Sequence, residues 1–124
     1  MQAQEMDRAF QASLHASIPE LATKLQSVLS RTVTAFAVNV KDGKTVSRWA
    51  NGEIAQIRDE ETERRVRMAY QIVTYLEESA SPQTVRAWFV QLNPRLGDIM
   101  PSQAIRDGRL VEARDAAQAF VVNP

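Results

Sequence analysis

The sequence predicts an all-α protein. Two positive observations carry that expectation, and one absence supports it. Apolar residues recur at three- and four-residue steps over much of the chain, the period of an amphipathic helix. Serines followed at once or after one residue by proline mark helix starts at Ser17-Ile18-Pro19-Glu20 and Ser81-Pro82. No clear strand run exists outside one ambiguous stretch, Phe36 to Glu53.

Taken in order, the first element is a short amphipathic helix from Met6 to His15, with Met6, Phe10 and Leu14 at four-residue steps. Ser17 and Glu20 then form a capping box, and Pro19 is tolerated in a first turn because it needs no intrahelical donor there. Leu21, Leu25, Val28 and Leu29 continue as one apolar stripe. The longest helix is predicted from Asp59 to about Ser79, with Val66, Tyr70, Val73 and Leu76 at helical spacing and Ala69 and Ile72 widening the stripe. Its acidic first turns suit the positive end of the helix dipole. Glu60–Arg64, Glu61–Arg65 and Glu63–Arg67 are i,i+4 pairs in the favourable order, which marks a solvated face. Ser81-Pro82 starts the next helix, whose stripe is Val85, Trp88, Phe89 and Leu92. Asn93-Pro94 stops it, because proline pushes the preceding residue out of the α region. The segment NPRLGDIMP is a turn-rich connector, Pro101 to Arg106 a short helix, and Leu110 to Phe120 the last helix.

The stretch FAVNVKDGKTVSRWANGE, Phe36 to Glu53, supports two local structures. Asp42-Gly43 is a strong hairpin turn, and Thr32-Val33-Thr34 and Val38-Asn39-Val40 are rich in β-branched residues. The alternative is a helix-turn-helix with KTVSRWANG as its second helix. Val46 and Trp49 then face the core, while Lys44, Thr45, Ser47 and Arg48 face a DNA groove or its phosphate walls. Arg48 suits a bidentate contact to guanine, Lys44 a phosphate or guanine, and Asn51-Gly52 a left-handed cap. An isolated hairpin in a helical chain is marginal, which favours the helical alternative.

Composition narrows the function. The chain has 124 residues, room for one ordinary domain or two small helical ones sharing a core. At 44% hydrophobic and 24% charged it is globular rather than disordered. Fifteen basic and fifteen acidic residues cancel, so a nucleic-acid site has to be a local patch; Arg31, Lys41, Lys44 and Arg48 form one in sequence. Without cysteine there are no disulfides or thiolate sites, and with His15 as the sole histidine no Ser-His dyad or histidine metal cluster can be built. No Gly-rich phosphate loop occurs. No enzyme activity, catalytic residue, cofactor or metal is therefore expected. With no signal-like N-terminus and no apolar run of membrane-spanning length, a cytoplasmic location is the default.

Beyond these readings, KTVSRWANGE, the long helix ETERRVRMAYQIVTYLEE and the segment VRAWFVQLNPRLGDIMPSQAIRDGRLVEARDAAQAFV together resemble the MbcA/ParS/Xre antitoxins. The resemblance covers about Ser17 to Val121, and its C-terminal half is the most specific part. It implies an Xre-like helix-turn-helix bundle in residues 1–58 and a helical toxin-binding or dimerisation domain in residues 59–124. It further implies a RES-domain, NAD-degrading toxin as protein partner, operator DNA as the second partner, and a homodimer or higher hetero-oligomer, with no membrane. The DNA-binding residues it implies are Lys41, Lys44, Thr45, Ser47 and Arg48. The toxin-binding residues it implies are Arg114, Phe120, Val121 and Val122, in a tail that blocks the toxin's active site. The chain departs from the usual motif in three places. The Ala37 to Val46 interval is one residue short, Phe36-Ala37-Val38-Asn39-Val40 is more β-branched than the usual helix there, and Lys41 stands where a turn glycine is usual. A stand-alone helix-turn-helix regulator that dimerises through its C-terminal half is the alternative function, and an adaptor carrying a hairpin is a third.

Overall fold

Capping determines where most of the helices begin. The structure, a computed structural model, describes residues 2–123, and the side chains from residue 4 onward. Its helices are α1 (Gln2–His15), α2 (Ile18–Leu29), α3 (Arg31–Val38), α4 (Gly43–Ala50), α5 (Glu60–Glu77), α6 (Pro82–Val90), α7 (Pro101–Arg106) and α8 (Leu110–Val122), with a 3₁₀ turn at Pro94–Leu96. The all-α expectation holds, and no strand forms among the described residues beyond a single bridge, Asn93 to Ile99. The Ser17–Glu20 capping box is present in both directions. Ser81 caps α6 through the Thr84 N–H. Asp59 caps α5, and hydrogen bonds from the Thr62 hydroxyl and N–H hold its carboxyl below the ordinary aspartate range.

The stretch with two local readings is helical on both sides of its turn. Asp42-Gly43 is not the corner of a hairpin: Asp42 is the N-cap of α4 and Gly43 its first residue. The β-branched residues of α3 are overridden by tertiary packing, since Thr34, Ala35, Ala37 and Val38 are all buried there. The left-handed residue of the turn is Asn39, at φ 64°, two positions before Lys41. Asparagine tolerates that conformation, so no glycine is needed at Lys41.

α5 is the hub. It buries Val66, Ala69, Ile72, Val73, Tyr75 and Leu76 and packs against α1, α2, α3, α6, α7 and α8. One apolar core runs through both halves of the chain, across the helix-free residues 53–59. α4 stands at the edge, packed on α2 and α3.

The burial of α1 differs from the expected stripe. Met6, Ala9, Ser13 and Ala16 face inward, whereas Phe10 and Leu14 are 44% and 50% exposed. The small residues let α1 approach α5 closely, so close packing rather than bulk selects the buried face. Leu92, counted in the α6 stripe, is 69% exposed because α6 ends at Val90 and Gln91 is extended.

Arginines tie helix ends to neighbouring elements. The last carbonyls of a helix lack intrahelical partners and carry the negative end of its dipole. Arg67 of α5 donates to the carbonyls of Ser13 (2.6 Å) and Ala16 (3.1 Å) at the end of α1. Arg86 of α6 donates to Val28 near the end of α2. Arg106 of α7 donates to Phe36 in α3 and lies 4.8 Å from the centre of its ring. Arg65 of α5 donates to Ile105 and Arg106 at the end of α7.

Arg67 also pairs with Glu63 at 2.9 Å, so it serves three acceptors at once. Lysine cannot reproduce that fork. Arg67→Lys is expected to lower stability by about 1.5–3 kcal/mol, the range for hydrogen bonds involving a charged group. Urea unfolding measures it; a loss below about 0.5 kcal/mol, the ordinary surface value, would show that the clamp on α1 carries no weight.

Candidate nucleic-acid face and C-terminal tail

The outer edge formed by α3, its turn and α4 collects most of the residues expected to meet DNA. Val46 and Trp49 are buried against the core, which turns the opposite face of α4 outward. Lys41, Lys44 and Arg48 are exposed and Thr45 is half-buried. Arg48 approaches Glu53 at 3.6 Å; both side chains are more than half exposed, so this pair is a weak restraint. Ser47 is placed differently from these. Its hydroxyl donates to the Gln26 side chain of α2 at 3.1 Å, on the side of α4 that packs on the body.

Ion pairing shows how a neutral chain acquires a basic edge. Arg64, Arg65 and Arg67 pair with Glu60, Glu61 and Glu63 along α5. Lys24 pairs with Glu77, Arg109 with Glu112 and Arg114 with Asp115. Among the described residues, Arg8, Arg31, Lys41, Lys44, Arg58 and Arg95 have neither an ion pair nor a side-chain hydrogen bond, and three of these, Arg31, Lys41 and Lys44, lie on the α3–α4 edge. Asp42 is the acid among them, and its carboxylate accepts from the Lys44 N–H. An open groove of about 680 Å³ beside them is lined by Thr32, Phe36, Asn39, Lys41 and Gly43, with Arg106 at its margin.

The sequence places Arg31 in the basic patch but does not give it a contact of its own. The signal that finds it is three-dimensional: the stem of Arg31 lies against Gly43. Ser30, just before it, holds φ 80° and ψ 157°, a region nearly confined to glycine that costs ~1–3 kcal/mol. Ser30 is retained there as a double cap. Its N–H reaches the Gln26 carbonyl at the end of α2, and its hydroxyl accepts from the Val33 N–H at the start of α3. The strained residue thus sets the direction in which α3, and Arg31 with it, leaves α2.

The second cluster expected from the sequence lies on α8. Phe120 is half-buried, 6.4 Å from the Trp88 ring, and Val121 packs on the core margin. Val122 is exposed, and Arg114 is held by Asp115 at 3.2 Å, less than two turns before Phe120 on the same helix. Phe120 forms the ridge between two shallow grooves, one reaching Asn93, Pro94 and Arg95 and the other reaching Gln83, Thr84 and Gln91. The Trp88 indole N–H is enclosed here without a hydrogen-bond partner among the described residues.

No group of three His, Asp or Glu side chains is placed to hold a metal among the described residues, and no described helix is long and apolar enough to cross a membrane.

Ser47→Ala is expected to lower stability by about 1 kcal/mol, the ordinary worth of one hydrogen bond, and to leave any preference between DNA sequences unchanged. A binding-site selection with wild type and variant checks this; a changed preference at any base position would assign Ser47 to the groove instead. No family model, curated protein or solved structure matches this chain.

Proposed function

We propose that this chain is an operator-binding antitoxin. The observation that carries the DNA half is the concentration of unpaired cations, Arg31, Lys41 and Lys44, on the edge where α4 presents its outer face. A net-neutral protein gains affinity for a polyanion when its acids are neutralised elsewhere, and here the carboxylates of α5 and α8 are. α4 is short, anchored by Val46 and Trp49 and packed on α2 and α3, as a groove-entering helix must be. In this arrangement Arg48 reads a guanine, Lys44 and Lys41 hold phosphates, and Thr45 lies at the groove wall.

The toxin-binding half rests on the resemblance of the C-terminal segment to the MbcA/ParS/Xre antitoxins. In keeping with it, α8 ends in a semi-exposed apolar run, Phe120, Val121 and Val122. Packed into the cleft of a RES-domain toxin, this run would exclude NAD by occupancy, with Arg114 as a polar contact on the same helix. No reaction by the antitoxin is involved.

Fluorescence anisotropy on the protein's own promoter, repeated across salt concentrations, tests the DNA half. Lys44→Ala should weaken binding to all sequences alike and lower the salt slope by about 0.9. Arg48→Ala should cost ~1–3 kcal/mol at one base pair and relax the preference there. Equal affinity for promoter and unrelated duplex at every salt concentration would remove the operator assignment.

Co-expression with a RES-domain toxin encoded beside the protein tests the other half. Rescue of growth and a complex on purification are expected, and Val122→Asp should weaken that complex about tenfold or more, as for an interface hot spot. Continued toxicity with no complex would leave the antitoxin assignment without support.

A further inference from the structure

We infer that Arg31 is an additional phosphate-binding residue of the α3–α4 edge, and that Gly43 is glycine in order to hold it there. The inference rests on the DNA reading above, which counts Arg31 among the cations of the edge without giving it a contact, and it adds Gly43 to that reading.

The steric observation comes first. Gly43 is the first residue of α4, and its backbone is not in the left-handed region that favours glycine. Backbone conformation therefore gives no reason for glycine at this place. Alanine at a first helical turn is normally the better residue. The obstacle is Arg31. A Cβ on Gly43 would lie 2.7 Å from its Cγ, 3.1 Å from its Cδ and 3.2 Å from its Cβ. The near end of the stem is in contact, so a turn of the distal guanidinium cannot relieve the clash. The absent side chain at Gly43 is the space that the Arg31 stem fills.

The second observation is electrostatic. Arg31 is the first residue of α3, where the dipole disfavours a cation, and its stem crosses the start of α4, where the same holds. Lys44 stands in the first turn of α4 and Lys41 just before it. Neither helix has an acid in its first turn, in contrast to α5 with Glu60, Glu61 and Glu63, and the N-cap Asp42 is the one carboxylate at the start of α4. Elsewhere the chain sends arginines to helix C-termini, which stabilises both partners. Arg31 is placed against that rule, exposed and without a side-chain partner among the described residues. A cation at the positive end of a helix dipole costs the free protein stability and gains from an anion that neutralises it. A phosphate of the DNA backbone, flanking the groove that α4 enters, has the required charge and oxygen acceptors, and a guanidinium matches it with paired donors.

The test is a salt titration of promoter binding with wild type, Arg31→Met, Arg31→Ala, Gly43→Ala and the Arg31→Ala/Gly43→Ala double variant. Lys44→Ala serves as the reference for the phosphate contact proposed above. Arg31→Met keeps the stem over Gly43 and loses only the charge. It should lower the salt slope by about 0.9, and at 0.1 M salt the affinity about eightfold, the counterion-release worth of one phosphate. Gly43→Ala should weaken binding by displacing Arg31. In the Arg31→Ala background the same glycine change should cost nothing further, so the two losses do not multiply.

Thermal unfolding of the same proteins reads the steric contact without DNA. Gly43→Ala should lower Tm in the wild-type background and raise it in the Arg31→Ala background, where only the gain in helix propensity remains. A wild-type slope that falls with Lys44→Ala but not with Arg31→Met overturns the assignment of Arg31 while leaving the DNA reading standing. A wild-type protein that binds no duplex at low salt overturns both. Multiplicative losses in the double variant, or the same Tm change from Gly43→Ala in both backgrounds, overturn the role given to Gly43.

Discussion

The structure depends on guanidinium groups that close helix ends belonging to other helices. Short helices expose a large share of their carbonyls as unpaired ends, and a chain that packs α2, α3 and α7 around one hub accumulates many such ends. Arg67, Arg86, Arg106 and Arg65 each reach across an interface to a carbonyl in or near the last turn of a neighbour. A fifth, Arg109, donates to Leu96 at the end of the 3₁₀ turn. Each contact satisfies a backbone acceptor and places positive charge at the negative end of a dipole. It also fixes one helix relative to another, which apolar side chains alone do less specifically. Arg106 joins the two halves of the chain in this way, since its partner Phe36 lies in α3.

That use of arginine shapes the surface as well as the core. A cation paired with a glutamate on α5 adds little to the field seen by a ligand, while one bonded to a carbonyl keeps its charge but is fixed in place away from solvent-borne partners. What remains uncommitted is therefore more informative than the net charge, which is zero. The uncommitted residues at the α3–α4 edge share that edge because they lie at the start of a short helix, in the tight turn after it and at the start of the next short helix. Net neutrality and a basic edge are thus compatible: the first describes composition, and the second describes which charges lack a partner.

The same distinction explains how far the sequence could be read. Local signals were legible wherever a residue acts on its own neighbours. Ser17 with Glu20, Ser81 before Pro82, and the glutamate–arginine pairs of α5 all act within four residues, and all stand as the spacing implies. Signals that depend on a distant surface were not legible. α1 buries Ala9 and Ser13 in place of Phe10 and Leu14 because α5 comes close, and nothing in the α1 sequence announces that approach. Asp42-Gly43 was ambiguous for a related reason. As a dipeptide it makes a hairpin turn or starts a helix equally well, and the packing of α4 on α2 decides between them.

At the candidate site the division is sharper still. The outward placement of Lys44 and Arg48 follows from the positions of Val46 and Trp49 on a helix, so it was within reach of the sequence. The inward hydrogen bond of Ser47 was not, because the partner that draws it in, Gln26, is 21 residues away. The turn shows the consequence of reading one position in isolation. A missing glycine at Lys41 suggests a distorted turn, but the left-handed conformation falls on Asn39, and the chain then reaches α4 with Asp42 already placed as its cap. The glycine that matters is Gly43, and it serves the helix across from it rather than its own backbone. A residue's local conformation and the space it leaves for others are separate constraints, and only the first of them can be read from a short stretch of sequence.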